Sequence, residues 1–164
     1  MRIRLAVVIV FLVVLPNAAG ATFTFTVTTS SPVTAGAVTL NGDDQTKTFT
    51  IVTKVAYTGS GNTAGWNVSA AATVPTSSSS AKLPALQVTA GSFACASSCT
   101  TNPTPTGITY PVTLSTTAKK IYNASANTGR GTFNVTSTYE LTYPASAFTG
   151  TYSSTVTLTG TTGP

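Results

Sequence analysis

The 164-residue chain contains no histidine, and its only acidic side chains are Asp43, Asp44 and Glu140. General acid–base catalysis needs groups that trade protons near neutral pH. That scarcity excludes most hydrolase chemistry, and the chain reads as a non-enzyme. No motif around any serine supports a dyad with Lys119 or Lys120. Zinc is excluded too, because it takes four ligands and the chain offers two cysteines. Asp43 and Asp44 adjoin in the turn "NGDD", where such residues stabilise a reversal; calcium there would need several more oxygen ligands. The expectation is a protein with no cofactor and no metal.

Charge is scarce as well. Only 7% of residues are charged, against about 25% in ordinary soluble domains. Without a basic stripe, nucleic acid is excluded as a partner.

What is present begins with Arg2 and Arg4, then an apolar run from Leu5 to Leu15, Pro16, and the small residues Ala18, Ala19, Gly20 and Ala21. This pattern predicts a secretory signal peptide over residues 1–21, cleaved after Gly20 or Ala21. The run is shorter than the ~20 apolar residues of a membrane span, so no membrane association is expected after cleavage. Removing 21 of 164 residues leaves 143, a single domain over 22–164; removing Arg2 and Arg4 lowers the formal charge from +5 to +3.

Cys95 and Cys99 enclose Ala-Ser-Ser. In an exported chain two cysteines most economically pair, and three intervening residues are one too many for the redox motif. A bridge this short contributes roughly 2 kcal/mol in the chain-entropy picture and is expected to pin a surface loop.

Alternation is the dominant pattern. In "RGTFNVTSTYELTYP", Phe133, Val135, Tyr139, Leu141 and Tyr143 share one parity while Asn134, Thr136, Thr138, Glu140 and Thr142 share the other. Only a strand separates those sets onto opposite faces. The same parity groups Phe23, Phe25 and Val27; Trp66, Val68, Ala70, Ala72 and Val74; and Tyr152, Ser154, Val156 and Leu158. "GAVTL", "KTFTIVTKVAY", "ALQVTA" and "TYPVTLS" are further strand candidates, divided by turn-rich segments such as "TGSGNTAG". A short helical turn is the reading for residues 118–126. The run Ser77–Ser80 reads as a surface loop rather than an interdomain linker. About eight short strands, apolar on one face each, predict an all-β fold: an antiparallel, Ig-like β-sandwich.

Four features admit functional readings. Sequons at Asn67, Asn123 and Asn134 are glycan acceptors or ordinary exposed asparagines. Lys119, Lys120 and Arg130 form either a basic patch for anionic wall polymer or a solvated face. Trp66, the one tryptophan, is a core aromatic or a platform for sugar stacking. "ATFTFTVTT" is a strand that follows the cleavage site and is available for addition to another sheet.

"GWNVSAAAT" and the closing "YELTYPASAFTGTYSSTVTLTGTTGP" together resemble the paired motifs of the WxL-type cell-surface domains of Gram-positive bacteria. Trp66 with Val68 stands for the first Trp-x-Leu, with valine in the place of leucine. Tyr139 with Leu141, followed by Pro144, stands for the second, with tyrosine in the place of tryptophan. The resemblance implies a secreted, non-catalytic protein at the cell surface that binds peptidoglycan or an attached anionic polymer without a covalent link, with other surface proteins as further partners. The alternative function is structural: a fibre, pilus or coat subunit assembling by β-strand addition.

Overall fold

The computed structural model describes residues 2–13, 21–59 and 63–164, and in it the alternating runs form strands. Eleven strands are present among these residues: β1 (Arg2–Val13), β2 (Ala21–Val27), β3 (Val33–Thr39), β4 (Gln45–Gly59), β5 (Trp66–Ala72), β6 (Thr76–Ser77), β7 (Gln87–Thr101), β8 (Val112–Thr113), β9 (Lys119–Ala124), β10 (Arg130–Tyr143) and β11 (Gly150–Thr162). The first sheet has the order β3-β1-β11-β5-β9, with β6 also paired to β11; the second has the order β2-β4-β10-β7-β8. The inner faces of the two sheets pack together, so the all-β sandwich expected from the alternation is the fold. Eight of the eleven strands correspond to the expected runs, and β1, β6 and β9 are additional.

Parity places the side chains as expected along the longest strands. Phe133, Val135, Tyr139, Leu141 and Tyr143 of β10 are fully buried, as are Tyr152, Val156 and Leu158 of β11. Trp66, Tyr57, Tyr122 and Phe25 fill the same core. Two expectations are corrected at strand ends. Val74 is exposed, because β5 ends at Ala72 and Pro75 follows. Ser77 is not in an open loop: it lies in β6 against Tyr152, accepts from Ala81 N through Oγ at 3.1 Å, and is buried.

The segment expected as a helical turn is instead β9. Its Ile121 and Tyr122 suit a strand, and Tyr122 stacks on Trp66 with ring centroids 6.0 Å apart. The Cys95–Cys99 disulfide is formed, with Cα atoms 6.1 Å apart. It lies inside β7 rather than in a loop. There the register against β10 shifts and Ser98 adopts φ 51°, so the bridge closes a bulge.

The largest departure concerns the apolar N-terminal run. Residues 2–13 are the second strand of the first sheet, antiparallel to β3 and parallel to β11, from Ile3 opposite Gly150 to Val13 opposite Gly160. Among the described residues β1–β11 is the one parallel pair, in a sandwich expected to be antiparallel throughout. Ile3, Leu5, Val7 and Ile9 point into the core, while Val8 and Val10 are 46% and 45% exposed. Gly36, with φ +86°, supplies the extra residue by which β3 bulges past β1. Of the two expected cleavage points, Gly20 lies outside the described residues and Ala21 opens β2.

Phe25 of β2 packs under β11, where Gly160 leaves it space: a Cβ there would come within 2.5 Å of the ring. Gly160→Ala in the full chain is therefore expected to destabilise the fold by about 1 to 3 kcal/mol, the usual range for overpacking. Denaturant titration checks this, and a shift in midpoint without a change in slope is the expected form.

Candidate functional site

The motif residues build the interior. Trp66 lies on β5 in the first sheet, and its Nε1–H donates to Gly129 O at 2.9 Å. Gly129 has φ +70°, and a Cβ there would approach Nε1 to 2.5 Å, so glycine lets the backbone come close to the indole. Val68 is buried beside it on β5. Tyr139 and Leu141 lie on β10 in the second sheet, with the Tyr139 ring stacked on Phe49 at 5.3 Å. Pro144 ends β10, and its carbonyl accepts from Ala147 N at 2.9 Å. All four inward motif side chains are fully buried and unavailable to a ligand. Trp66 in particular offers no face for sugar stacking.

The expected basic patch is not assembled. Lys119 and Lys120 are exposed on β9 opposite Ala70 and Ser69, and Lys119 Nζ donates to Thr113 O at 2.7 Å. Arg130 lies past the opposite end of β9, where Ala124 faces Trp66, and pairs across to Thr101 of β7. At about 3.3 Å per residue that places it roughly 15 Å or more from the lysines. Arg130 lines a cleft of about 380 Å³ with Tyr57, Gly59, Ser98 and Thr100.

Of the carboxylates, Asp43 and Asp44 adjoin in one turn and Glu140 lies on β10. Asp43 N donates to Asn41 Oδ1 at 3.2 Å in the expected turn, and Asp44 Oδ1 accepts from Ala145 N at 2.7 Å, which ties that turn to the segment after β10. Among the described residues no group of three or more His, Cys, Asp or Glu side chains is placed to hold a metal. Of the sequons, Asn123 is buried and accepts from Thr106 N at 2.9 Å, so it is no glycan acceptor in the folded state. Asn67 donates to Gly163 O at 2.8 Å. Asn134 is half-buried on the outer face of β10.

Four tyrosines hold their protons tightly. Burial pushes Tyr122 up to about 12, with Tyr110 adding to the effect. Burial also raises Tyr110, Tyr139 and Tyr143. Tyr110 donates to Ile121 O at 2.6 Å, whereas the hydroxyls of Tyr139 and Tyr143 are buried without a partner among the described residues.

What distinguishes this sandwich is the position of β1. It is not an edge strand: both its backbone sides are engaged, one by β3 and the other by β11. Without it, β3 loses its place in the sheet and β11 presents an unpaired ladder edge beside an uncovered stretch of core. The place of β1 is therefore a slot with two hydrogen-bonding rims and a row of apolar sites at alternate positions, now filled by Ile3, Leu5, Val7 and Ile9. Sequence reading misses this strand because its outward residues are apolar too, which hides the alternation. Its richness in Val and Ile is the signal that points to a strand. No family model matches this chain, and no curated protein matches it.

Two outcomes follow from the buried phenols. Tyr139→Phe removes an unpartnered buried hydroxyl, so stability by denaturant titration is expected to stay equal or rise by up to about 1 kcal/mol. The raised values also fix an alkaline limit. Each phenol binds its proton more tightly folded than unfolded, so their contribution is complete below the ordinary value of 10.0 and is lost as pH rises from there through about 12. Tyrosinate absorbance is expected to rise for these residues only together with loss of strand circular dichroism.

Proposed function

We propose that this protein is an exported structural subunit of the cell surface that joins its neighbours by strand addition, with the slot of β1 as the acceptor. The carrying observation is that the segment with the pattern of a cleavable leader is also an interior strand of the sandwich. Removing it withdraws four buried aliphatic side chains, each contributing roughly 1.5 to 3 kcal/mol. Together they rival the 5 to 15 kcal/mol by which a domain is stable. It also leaves the backbone groups of β3 and β11 without protein partners on that side and opens the core beneath them to water. A processed chain in this state favours an incoming strand that replaces both the apolar row and the two ladders, which is the chemistry of strand addition.

Non-covalent wall binding, the other expectation, needs exposed groups that converge on a ligand. The motif side chains are buried and Lys119 and Lys120 stand far from Arg130, so the geometry supports strand addition better. The first strand after the cleavage point, β2, is paired with β4 in its own chain; the support comes from the slot and not from a free strand.

The test is to express the whole gene in a secreting Gram-positive host and characterise what is exported. Expected are an N-terminus at Ala21 or Thr22 by mass spectrometry and ladders on a gel that survive cold detergent and collapse on boiling. An exported protein that keeps residues 2–13, or one that is processed, monomeric and sediments with isolated walls, would overturn the proposal.

A further inference from the structure

We infer that the open edge of β2 is a second contact surface, and that its partner is β2 of another copy of this chain, paired antiparallel about a two-fold axis through Thr24. The contact is separate from the slot of β1 and stands whatever fills that slot, because β2 keeps its place beside β4. Three observations carry it.

The first is that this edge carries no obstacle to pairing. β2 is the outermost strand of the second sheet, paired with β4 from Ala21 opposite Gly59 to Val27 opposite Thr53 without a register shift. Among the described residues no strand lies along its other side. Its seven residues include no charge, no proline and no bulge, and those are the devices that keep a sheet edge from pairing.

The second is the direction of its backbone groups. Thr28 N donates to Val52 O at 2.9 Å, one step past the pair of Val27 and Thr53. An antiparallel ladder bonds alternate residues. Thr22, Thr24 and Thr26 therefore turn their N–H and C=O groups toward β4, and Ala21, Phe23, Phe25 and Val27 turn theirs to the free side. The side chains of Phe23 and Phe25 stay in the core while those of Thr22, Thr24 and Thr26 are exposed.

The third observation selects the partner. Two copies of a strand related by a two-fold axis meet in reversed order, so a self-complementary contact favours a strand that reads alike from both ends. "TFTFT" does so about Thr24. In that register Phe23 faces Phe25 of the other copy, and these are residues whose backbone groups point outward, so the opposed pair exchanges both hydrogen bonds. Thr22 faces Thr26 of the other copy, and Thr24 faces its own counterpart on the axis. Aromatic pairs and Thr–Thr pairs are among the favourable cross-strand combinations. Lys54, beside Thr26 on β4, falls in a row with Thr58 of the other copy rather than with its own counterpart, so no like charges are opposed. The same patch serves both copies, so the contact closes as a dimer and joins the two second sheets into one.

The axis gives the experiment. Thr24 is exposed, so a cysteine there leaves the core intact. Its Cα lies about 4.5 Å from its counterpart in this register, within reach of a disulfide, whereas Thr22 and Thr26 each lie roughly 13 Å from theirs. Cys95 and Cys99 are bonded to each other and do not compete. Three single variants, Thr22→Cys, Thr24→Cys and Thr26→Cys, are exported from the whole gene, boiled without reductant and run on denaturing gels. Boiling dissolves strand-added ladders and leaves disulfides, so the result does not depend on the slot. Thr24→Cys is expected to run chiefly as a covalent dimer that reductant returns to monomer. Thr22→Cys and Thr26→Cys alone are expected to give less than a tenth as much, and exporting those two together restores the dimer. Adding Thr24→Lys to both members of that pair sets like charges opposite on the axis and is expected to abolish the restored dimer with strand circular dichroism unchanged. Monomeric Thr24→Cys with native circular dichroism overturns the assignment, as do three single variants that cross-link alike, the mark of random collision. If Thr24→Cys does not fold, the co-exported pair decides in its place, and its failure to cross-link overturns the assignment equally.

Discussion

Everything in this sandwich depends on the double pairing of β1. The first sheet has the order β3-β1-β11-β5-β9, so β3 is connected to the rest of that sheet through β1 alone, and the last strand of the chain is closed along one side only by the first. Interior strands differ from edge strands in kind. Losing an edge exposes one ladder to water, which replaces its hydrogen bonds, whereas losing an interior strand exposes two ladders and the core beneath them. The parallel direction of β1 against β11 adds a constraint, since no hairpin can supply a parallel neighbour and the strand must arrive from a distant part of the chain or from another chain.

The remaining structure is held together with little chemistry. Charged groups are few and dispersed, and the disulfide closes only a bulge of β7. Stability comes from aromatic and aliphatic burial between the sheets, centred on Trp66, Tyr122, Tyr139 and Phe133, and from continuous backbone ladders. Threonine suits this economy. On the outer faces it meets the conformational needs of a strand without adding charge, as Thr136, Thr138 and Thr142 do on the outer face of β10. A protein built this way has few groups with which to bind a ligand specifically. What it has in abundance is backbone able to pair.

Strands with one polar face were legible in the sequence, because period-two alternation needs contrast to be seen. β10 shows this most clearly, from Phe133 to Tyr143. β1 was not legible as a strand, since Val8 and Val10 face outward and are as apolar as Val7 and Ile9, and the same composition satisfies the pattern of an export leader. β9 was missed for a different reason. It is six residues long, opens with two lysines, and takes its strand form from the packing of Tyr122 on Trp66, a contact that joins distant residues. Val74 failed the parity reading because the adjacent Pro75 ends the run. The burial of the motif residues followed from parity, whereas the separation of Arg130 from the two lysines depended on the path of β9, which local pattern does not specify.

Three of the other sheet edges are unsuited to pairing. β9 carries exposed Lys119 and Lys120 at one end, and inserting charge is a standard obstacle to edge-to-edge pairing. β3 is bulged at Gly36, which disrupts regular pairing near its middle. β8 pairs with β7 only at Gln87 and Val88, but farther along β7 the disulfide-closed bulge at Cys95–Cys99 twists the strand away from regular register. These three edges are thus short, charged or irregular, whereas β2 presents a regular, uncharged edge of seven residues. The rim of β11 is none of these: from Gly150 to Gly160 it pairs with β1 without a register shift, and its inward residues alternate regularly. The longest regular rim is the one that a leader-like segment covers, and this coincidence makes removal of that segment the step that would expose it for pairing.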